Sequence, residues 1–139
     1  MMPILTALAI VGIALIAVLL LRLAGGNVAP EEAQIGRAVV GQNDALQRED
    51  YTDFRTFTCL AQQGTETQVL ADQRRSVAEK GARVVDDITD LAVTGDRAIA
   101  TVSYHFEKPA ADSADDKLSV PMVFVREDGE WKVCSAGPR

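Results

Sequence analysis

The sequence contains few of the residues that most often carry out chemistry. Its 139 residues include one histidine, two cysteines and seven aromatic side chains (one Trp, two Tyr and four Phe). One histidine and two distant cysteines cannot supply the ligands of a typical zinc site, and we expect no metal and no cofactor. The net charge is −6 and no stripe of Lys and Arg offsets it, so we expect no nucleic-acid partner.

The longest apolar segment spans residues 4–21, and Thr6 is its only polar residue. A helix of that length is about 27 Å long, close to the hydrocarbon thickness of a bilayer. Residues 1–24 are therefore predicted to be a transmembrane anchor that contacts the lipid bilayer through residues 4–21. A linker at 25–29 and one domain at 30–139 follow. The segment is longer than the apolar part of a signal peptide and lacks a basic N-terminal flank, which favours an uncleaved anchor.

The orientation of this anchor rests on two opposing observations. Arg22 and Arg37 follow the apolar segment, and no Lys or Arg precedes it. Positive charges collect on the cytoplasmic side of a membrane, so these arginines alone favour a cytoplasmic domain. The cysteines, considered below, favour the opposite side.

Three helices are predicted before the first strand. The first begins at Pro30, because proline suits the first turn of a helix. The second is short, carries aromatic residues at every third position and ends at Cys59. The third is capped by Thr65 or Thr67 and stops at Gly81. The apolar faces of the first two helices consist of Ile35, Ala38, Val39, Leu46, Tyr51, Phe54, Phe57 and Leu60.

After residue 81 apolar residues alternate with polar ones, which is typical of strands. Hairpin turns are predicted at 94–96 and 128–129, and Pro121 indicates an edge or a bulge in the third strand. Helices followed by antiparallel hairpins predict an α+β domain, with helices packed on one face of a four-stranded sheet. The four predicted strands cover residues 83–93, 97–107, 118–126 and 131–135, and a polar loop covers 108–117.

This order of elements resembles the NTF2-like (cystatin-like) fold, in which helices pack on a curved four-stranded antiparallel sheet. The segments that carry the likeness are FTC at residues 57–59, LAVTGDRA at 91–98 and VREDGEWKVC at 125–134. They are most similar to the membrane-anchored, lumazine-binding-like or DUF4878-type domains of the actinobacterial cell envelope. Members of that group look like exported domains with a disulfide between a helix and the last strand. The wider fold family also includes isomerases, dehydratases and binding modules, so the resemblance implies a fold rather than an activity.

Cys59 and Cys134 are the only cysteines. If the domain lies outside the cytoplasm, two cysteines in a small domain pair most simply as a disulfide, as the resemblance also implies. In a cytoplasmic domain they would instead be two buried thiols. Strand alternation places Trp131 with Val133 on one face and Cys134 on the other. A bridge therefore requires a helix on that face or a break in the strand.

The remaining polar residues do not form a recognisable catalytic pattern. His105 is expected at the exposed rim of a strand. Two acidic groups, Asp86, Asp87 and Asp90 in the first strand and Asp112, Asp115 and Asp116 in the loop, lack calcium-binding spacing and are expected to be solvated. Asp53, Asp90 and Tyr104 are candidate acids or bases of an isomerase, but their facing cannot be read from the sequence. We assign no catalytic residue.

The space between the helices and the sheet is the best candidate for a binding site, although the same side chains could simply fill the core. The leading functional hypothesis is a non-enzymatic module of the cell envelope, single-pass in the membrane with its domain outside, that binds a small apolar ligand or an envelope protein. The alternatives are a small isomerase or dehydratase acting on an apolar substrate, and a structural partner in a larger membrane complex. The candidate pocket residues are Tyr51, Phe54, Val102, Tyr104, Phe106, Met122, Phe124 and Trp131.

Overall fold

The computed structural model describes residues 30–108 and 117–137, which form three α-helices followed by one four-stranded sheet. The sheet is antiparallel with strand order β1-β2-β3-β4. This arrangement confirms the predicted α+β fold. The elements are α1 (Glu31–Gln47), α2 (Tyr51–Thr56), a 3-10 turn (Leu60–Gln62), α3 (Glu66–Lys80), β1 (Arg83–Thr94), β2 (Arg97–Phe106), β3 (Leu118–Glu127) and β4 (Glu130–Val133).

The predicted anchor and linker, residues 1–29, lie outside the described residues. Most of the predicted polar loop, with Asp112, Asp115 and Asp116, lies outside them as well. Within residues 30–108 and 117–137, no helix has the length and apolar character needed to cross a membrane.

The core lies between α1 and the inner face of the sheet. Along β2 the residues at alternate positions from Ala98 to Phe106 are buried, as the period of two predicts. Their partners on β3 share this face, because Met122 lies opposite Ala100 and Phe124 lies opposite Ala98. Helix α1 covers the face with an apolar stripe that contains Ile35, Ala38, Val39 and Ala45.

Pro121 lies within β3, which has a neighbouring strand on each side. The short strand β4 pairs only with the end of β3, from Phe124 to Glu127. Pro121 therefore lies where β3 has a ladder partner on one side alone, opposite Thr101 of β2. A proline, which has no N–H to donate, is tolerated at such a position. The edge that the sequence indicates is thus local to this part of the strand.

Helix α2 is shorter than predicted, because it ends at Thr56 and the next three residues are not helical. The aromatic spacing that suggested a helix as far as Cys59 fails there, and Leu60, which was placed on its apolar face, is 76% exposed. Phe57 instead packs against α1 at Gly41, where a β-carbon would lie only 2.5 Å from the ring. Glycine at position 41 permits this close approach, which turns the chain towards β4.

Segment 57–59 runs beside the end of β4 as a short parallel bridge. Val133 N–H donates to Phe57 C=O over 2.8 Å, and Cys59 N–H donates to Val133 C=O over 2.9 Å. Cys134 follows directly, and a disulfide joins it to Cys59 with a Cα–Cα distance of 5.1 Å. The predicted pairing is confirmed. Strand alternation does not prevent the bridge, because Cys134 lies beyond the end of β4 and no longer follows the alternation of its faces. Cys59 lies in the non-helical segment beside the end of β4.

Candidate functional site

A cavity of about 130 Å³ lies where the three helices meet the start of β1 and the chain that follows β4. A cavity of about 150 Å³ accommodates a benzene-sized molecule, so this one suits a ligand of a few carbon atoms. Its apolar walls are Leu46, Phe54, Val69 and Val77. The rest of the lining consists of Gln42, Gln47, Thr58, Gln62, Asp72, Gln73, Ser76, Gly81, Arg83, Ser135, Ala136 and Gly137.

Two buried polar side chains fix one side of the cavity. Gln42 Nε2 donates to Thr58 Oγ1 over 2.9 Å, and Thr58 Oγ1 donates to Phe54 C=O over 2.8 Å. This chain connects α1, α2 and the segment beside β4. Because buried polar groups are costly unless they are bonded, the network holds these side chains in one arrangement.

Among the described residues that line the cavity, Arg83 is the one that carries a positive charge. Its Nε donates to Asn43 Oδ1 over 2.8 Å, while Asn43 Nδ2 donates to Arg83 C=O over 2.9 Å. The guanidinium carbon lies 5.0 Å from the centroid of the Tyr104 ring. Burial lowers the pKa of Arg83, although the nearby Tyr104 acts in the opposite direction.

Tyr104 lies beneath Arg83 and does not line the cavity. Its hydroxyl donates to Met122 Sδ over 3.0 Å. Burial raises the pKa of this phenol, and the positive charge of Arg83 partly opposes that shift. Tyr104 is therefore a neutral core residue at physiological pH, and it separates Arg83 from the apolar interior.

Gln47 stands out among the polar residues of the lining. Its Nε2 is buried and has no hydrogen-bond partner. Within residues 30–108 and 117–137 the other buried side-chain nitrogen of this kind is Trp131 Nε1, which does not line the cavity. An unpaired buried donor costs about 1 to 3 kcal/mol. The cavity therefore presents a donor for which the described part of the protein supplies no acceptor.

Helix α3 forms the outer wall of the cavity and has no buried residue. Thr65 caps its start by accepting a hydrogen bond from Gln68 N–H, and Gly81 ends it with φ of 78°. Both caps agree with the sequence prediction. Three of the five side chains that α3 contributes to the wall are polar. None of the residues of α3 is buried, whereas α1 buries five.

The disulfide holds two walls of the cavity together. Thr58 directly precedes Cys59, Ser135 directly follows Cys134, and both line the cavity. Ser135 Oγ also accepts a hydrogen bond from Val123 N–H over 3.0 Å. Cys59 is fully buried and Cys134 is partly buried, which is typical of a structural disulfide.

Comparison with known proteins identifies the fold. No family model and no curated protein matches the sequence. Among solved structures, an NTF2-like protein from Cytophaga hutchinsonii is 16% identical with a TM-score of 0.53, covering 76% of this chain and 93% of that one. An NTF-2 like protein from Shewanella oneidensis is 13% identical with a TM-score of 0.51, covering 75% and 94%. The chain has the NTF2-like fold. At such identities the likeness extends to fold alone, and the lumazine-binding-like, DUF4878-type and actinobacterial assignments stay predictions.

Of the eight residues that the sequence suggested for a pocket, one lines the cavity of this NTF2-like domain, and that residue is Phe54. Tyr51 is partly exposed, and its hydroxyl donates to Gly64 C=O over 2.7 Å. The other six are buried, most of them in the core cluster, and they are Val102, Tyr104, Phe106, Met122, Phe124 and Trp131. They lie on the inner face of the sheet, which the cavity does not reach.

The other candidate residues lie apart from the cavity. Asp53 accepts a hydrogen bond from Arg48 on the surface of α2. His105 Nδ1 lies 2.8 Å from Asp86 Oδ1, where a bulge between Val85 and Asp87 re-aims the carboxylate. Asp87 and Asp90 are exposed. No group of three or more metal-ligating side chains occurs in the part of the chain that the structure describes.

Several residues of the lining were missed by sequence reasoning, chiefly Gln42, Gln47 and Arg83. One of them carries a signal in the sequence. Gln42 falls on the apolar stripe of α1, three residues after Val39 and seven after Ile35, so a polar side chain is predicted to face inward. Gln47 and Arg83 have no such signal, because their positions depend on how the helices meet β1.

Proposed function

We propose that the protein is a membrane-anchored, extracytoplasmic NTF2-like module that binds a small molecule in the cavity without transforming it. The observation that carries this proposal is the chemistry of the lining, in which amides, hydroxyls and one charged side chain of each sign surround the apolar side chains of Leu46, Phe54, Val69 and Val77. Such a lining orients a ligand through hydrogen bonds and apolar contact. Among the described residues that line the cavity, the one carboxylate is Asp72, whose Oδ1 lies 3.4 Å from Arg75 Nη1.

The runner-up is an isomerase or dehydratase acting on an apolar substrate. Such an enzyme needs a general acid or base aimed into an apolar pocket. Asp72 lies on the loosely packed outer helix, and Tyr104 directs its hydroxyl to Met122. Neither is placed for proton transfer to an apolar ligand, and this favours binding over turnover.

An extracytoplasmic location is supported by the disulfide, because such bonds persist in oxidising compartments. The apolar segment at residues 4–21 supports attachment to the bilayer. Cell fractionation tests attachment to the bilayer, and thiol labelling of intact cells and of the denatured protein tests the extracytoplasmic location. We expect the full chain in the membrane fraction, with both cysteines labelled only after reduction of the denatured protein. Labelling without reductant would refute the exported form.

Native mass spectrometry of the full chain, purified from membranes in mild detergent, tests ligand binding. We expect one small molecule per chain, released on denaturation and chemically unchanged after incubation. Ser76→Phe would fill the cavity from the α3 wall and abolish this mass difference. Ala78→Phe is the matched control, because Ala78 is exposed on the same helix and does not line the cavity. A ligand returned in altered form would favour the enzyme, and equal loading of both variants would place binding elsewhere.

A further inference from the structure

The charges and donors of the cavity indicate what kind of ligand it takes. Gln47 Nε2 is a buried donor without an acceptor, and Arg83 carries the positive charge of the same lining. The unpaired Gln47 donor calls for a ligand oxygen, and the positive charge of Arg83 in the same lining favours an oxygen that bears negative charge. Hydrogen bonds from such donors to a charged oxygen are about twice as strong as those to a neutral one.

The apolar walls limit the rest of the ligand. Leu46, Phe54, Val69 and Val77 surround the part of the cavity that is not polar. A volume of about 130 Å³ holds a short hydrocarbon group together with a small polar head. A long acyl chain would exceed this volume, and a polyanion would carry more negative charge than Arg83, the one cation among the described residues of the lining, could balance.

Asp72 is the one described residue of the lining that opposes an anion. Its carboxylate lies 3.4 Å from Arg75 Nη1, which offsets part of its charge. Arg83 Nε donates to Asn43 Oδ1, and the guanidinium would also donate a hydrogen bond to a ligand oxygen. Asp72 therefore weakens the binding of an anion without preventing it. Removing its charge should raise the affinity for an anion, whereas removing the Gln47 donor should lower it.

We infer that the cavity binds a small monocarboxylate, whose oxygens accept hydrogen bonds from Gln47 Nε2 and Arg83 while its hydrocarbon group contacts Leu46, Phe54, Val69 and Val77. This inference rests on the proposed binding function and names the chemical class of the ligand. It uses donors that the fold alone does not predict, since they arise from this chain's own side chains.

Butyrate and its neutral isostere butyramide are suitable probes. Both are titrated into the ¹⁵N-labelled full chain in detergent micelles, with two-dimensional NMR as the readout. We expect butyrate to shift the Gln47 side-chain amide and to bind at least about tenfold more tightly than butyramide, since charged acceptors add roughly 1.4 kcal/mol or more. Equal affinities, or tighter binding of butyramide, would overturn the carboxylate assignment.

Two isosteric variants and a control test the residues. Gln47→Glu removes the donor and adds a repelling charge, so the affinity for butyrate should fall at least about tenfold. Asp72→Asn removes a repelling charge and should raise the affinity a few-fold. Gln68→Glu adds the same charge on the exposed surface of α3, outside the cavity, and should leave the affinity within about twofold. Loss of binding in Gln68→Glu equal to that in Gln47→Glu would contradict the inference.

The two proposals fail in different ways. If butyramide or other neutral molecules perturb the cavity residues and butyrate does not, the binding function stands and the carboxylate assignment fails. If neither probe perturbs Gln47, Thr58 or Ser135 and no molecule copurifies with the full chain, both fail. If butyrate binds equally to the wild type and Gln47→Glu, the site has been assigned to the wrong residues.

Discussion

Helices α1 and α3 border the same cavity but join the domain in different ways. Five residues of α1 are buried, whereas α3 has none. The apolar stripe of α1 is part of the core, and most of the stability of such a helix comes from packing. Helix α3 directs Val69, Asp72, Gln73, Ser76 and Val77 at the cavity and buries none of them. The comparison teaches that this domain is closely packed on one side and leaves room for a ligand on the other.

The largest expected effect comes from the disulfide, which joins the closely packed side to the cavity. Replacing Cys59 and Cys134 with Ala removes a link between residues 75 positions apart. In the chain-entropy model such a link stabilises the fold by about 4 to 5 kcal/mol. Urea unfolding followed by the fluorescence of Trp131, the one tryptophan, measures this loss.

Hydrogen exchange then shows which side the disulfide holds. The backbone N–H groups at positions 59 and 134 donate to Val133 C=O and Val123 C=O. In the alanine variant we expect the exchange protection of these two amides to fall more than that of the amides in β2. A loss of free energy below about 1 kcal/mol, or equal loss of protection throughout the sheet, would contradict a local role for the bridge.

A matched pair of valines tests the two sides directly. Val102 is fully buried in β2, and Val77 is 37% exposed on α3. Val102→Ala removes two buried methyl groups and leaves a space, so we expect a loss of about 2 kcal/mol. Val77→Ala should cost less than about 0.5 kcal/mol, because alanine is also the better helix former. Urea unfolding of both variants measures the difference. Equal losses would show that α3 belongs to the core.

Tyr104 and Arg83 mark the boundary between the two sides, and their pKa shifts make it sensitive to alkali. The raised pKa of Tyr104 means that the unfolded chain loses the phenol proton first, from about pH 10. Stability due to this group is complete below that pH and falls above it, by up to about 1.4 kcal/mol per pH unit. Tyr104→Phe should remove this dependence. Arg83 has the opposite sign but is present in both proteins, so it cancels when unfolding between pH 9 and 11 is compared.

The closely packed side could be predicted from the sequence, and the cavity could not. The alternation from Ala98 to Phe106 and the turns at 94–96 and 128–129 are local patterns, and they determine the sheet. The bridge between segment 57–59 and Val133 depends on Gly41 accepting the ring of Phe57, a contact between distant positions. Gln47 and Arg83 meet at one cavity for the same kind of reason, since the periodicity of either segment says nothing about the other.

The smallest effect, and the sharpest test of the comparison, is expected at Gln47. Its unpaired Nε2 is a cost to folding when no ligand is bound. Gln47→Leu replaces it with an apolar group of similar size and should raise the free energy of unfolding by about 1 kcal/mol. Gln42→Leu is the matched contrast, because it removes the hydrogen bond that Gln42 Nε2 donates to the buried Thr58 Oγ1. This variant should lower stability by a similar amount. Thermal unfolding of the two variants without ligand gives both signs. A stabilised Gln47→Leu that no longer binds butyrate would show that this side of the domain sacrifices stability for binding, whereas a destabilised one would mean that the donor already has a partner.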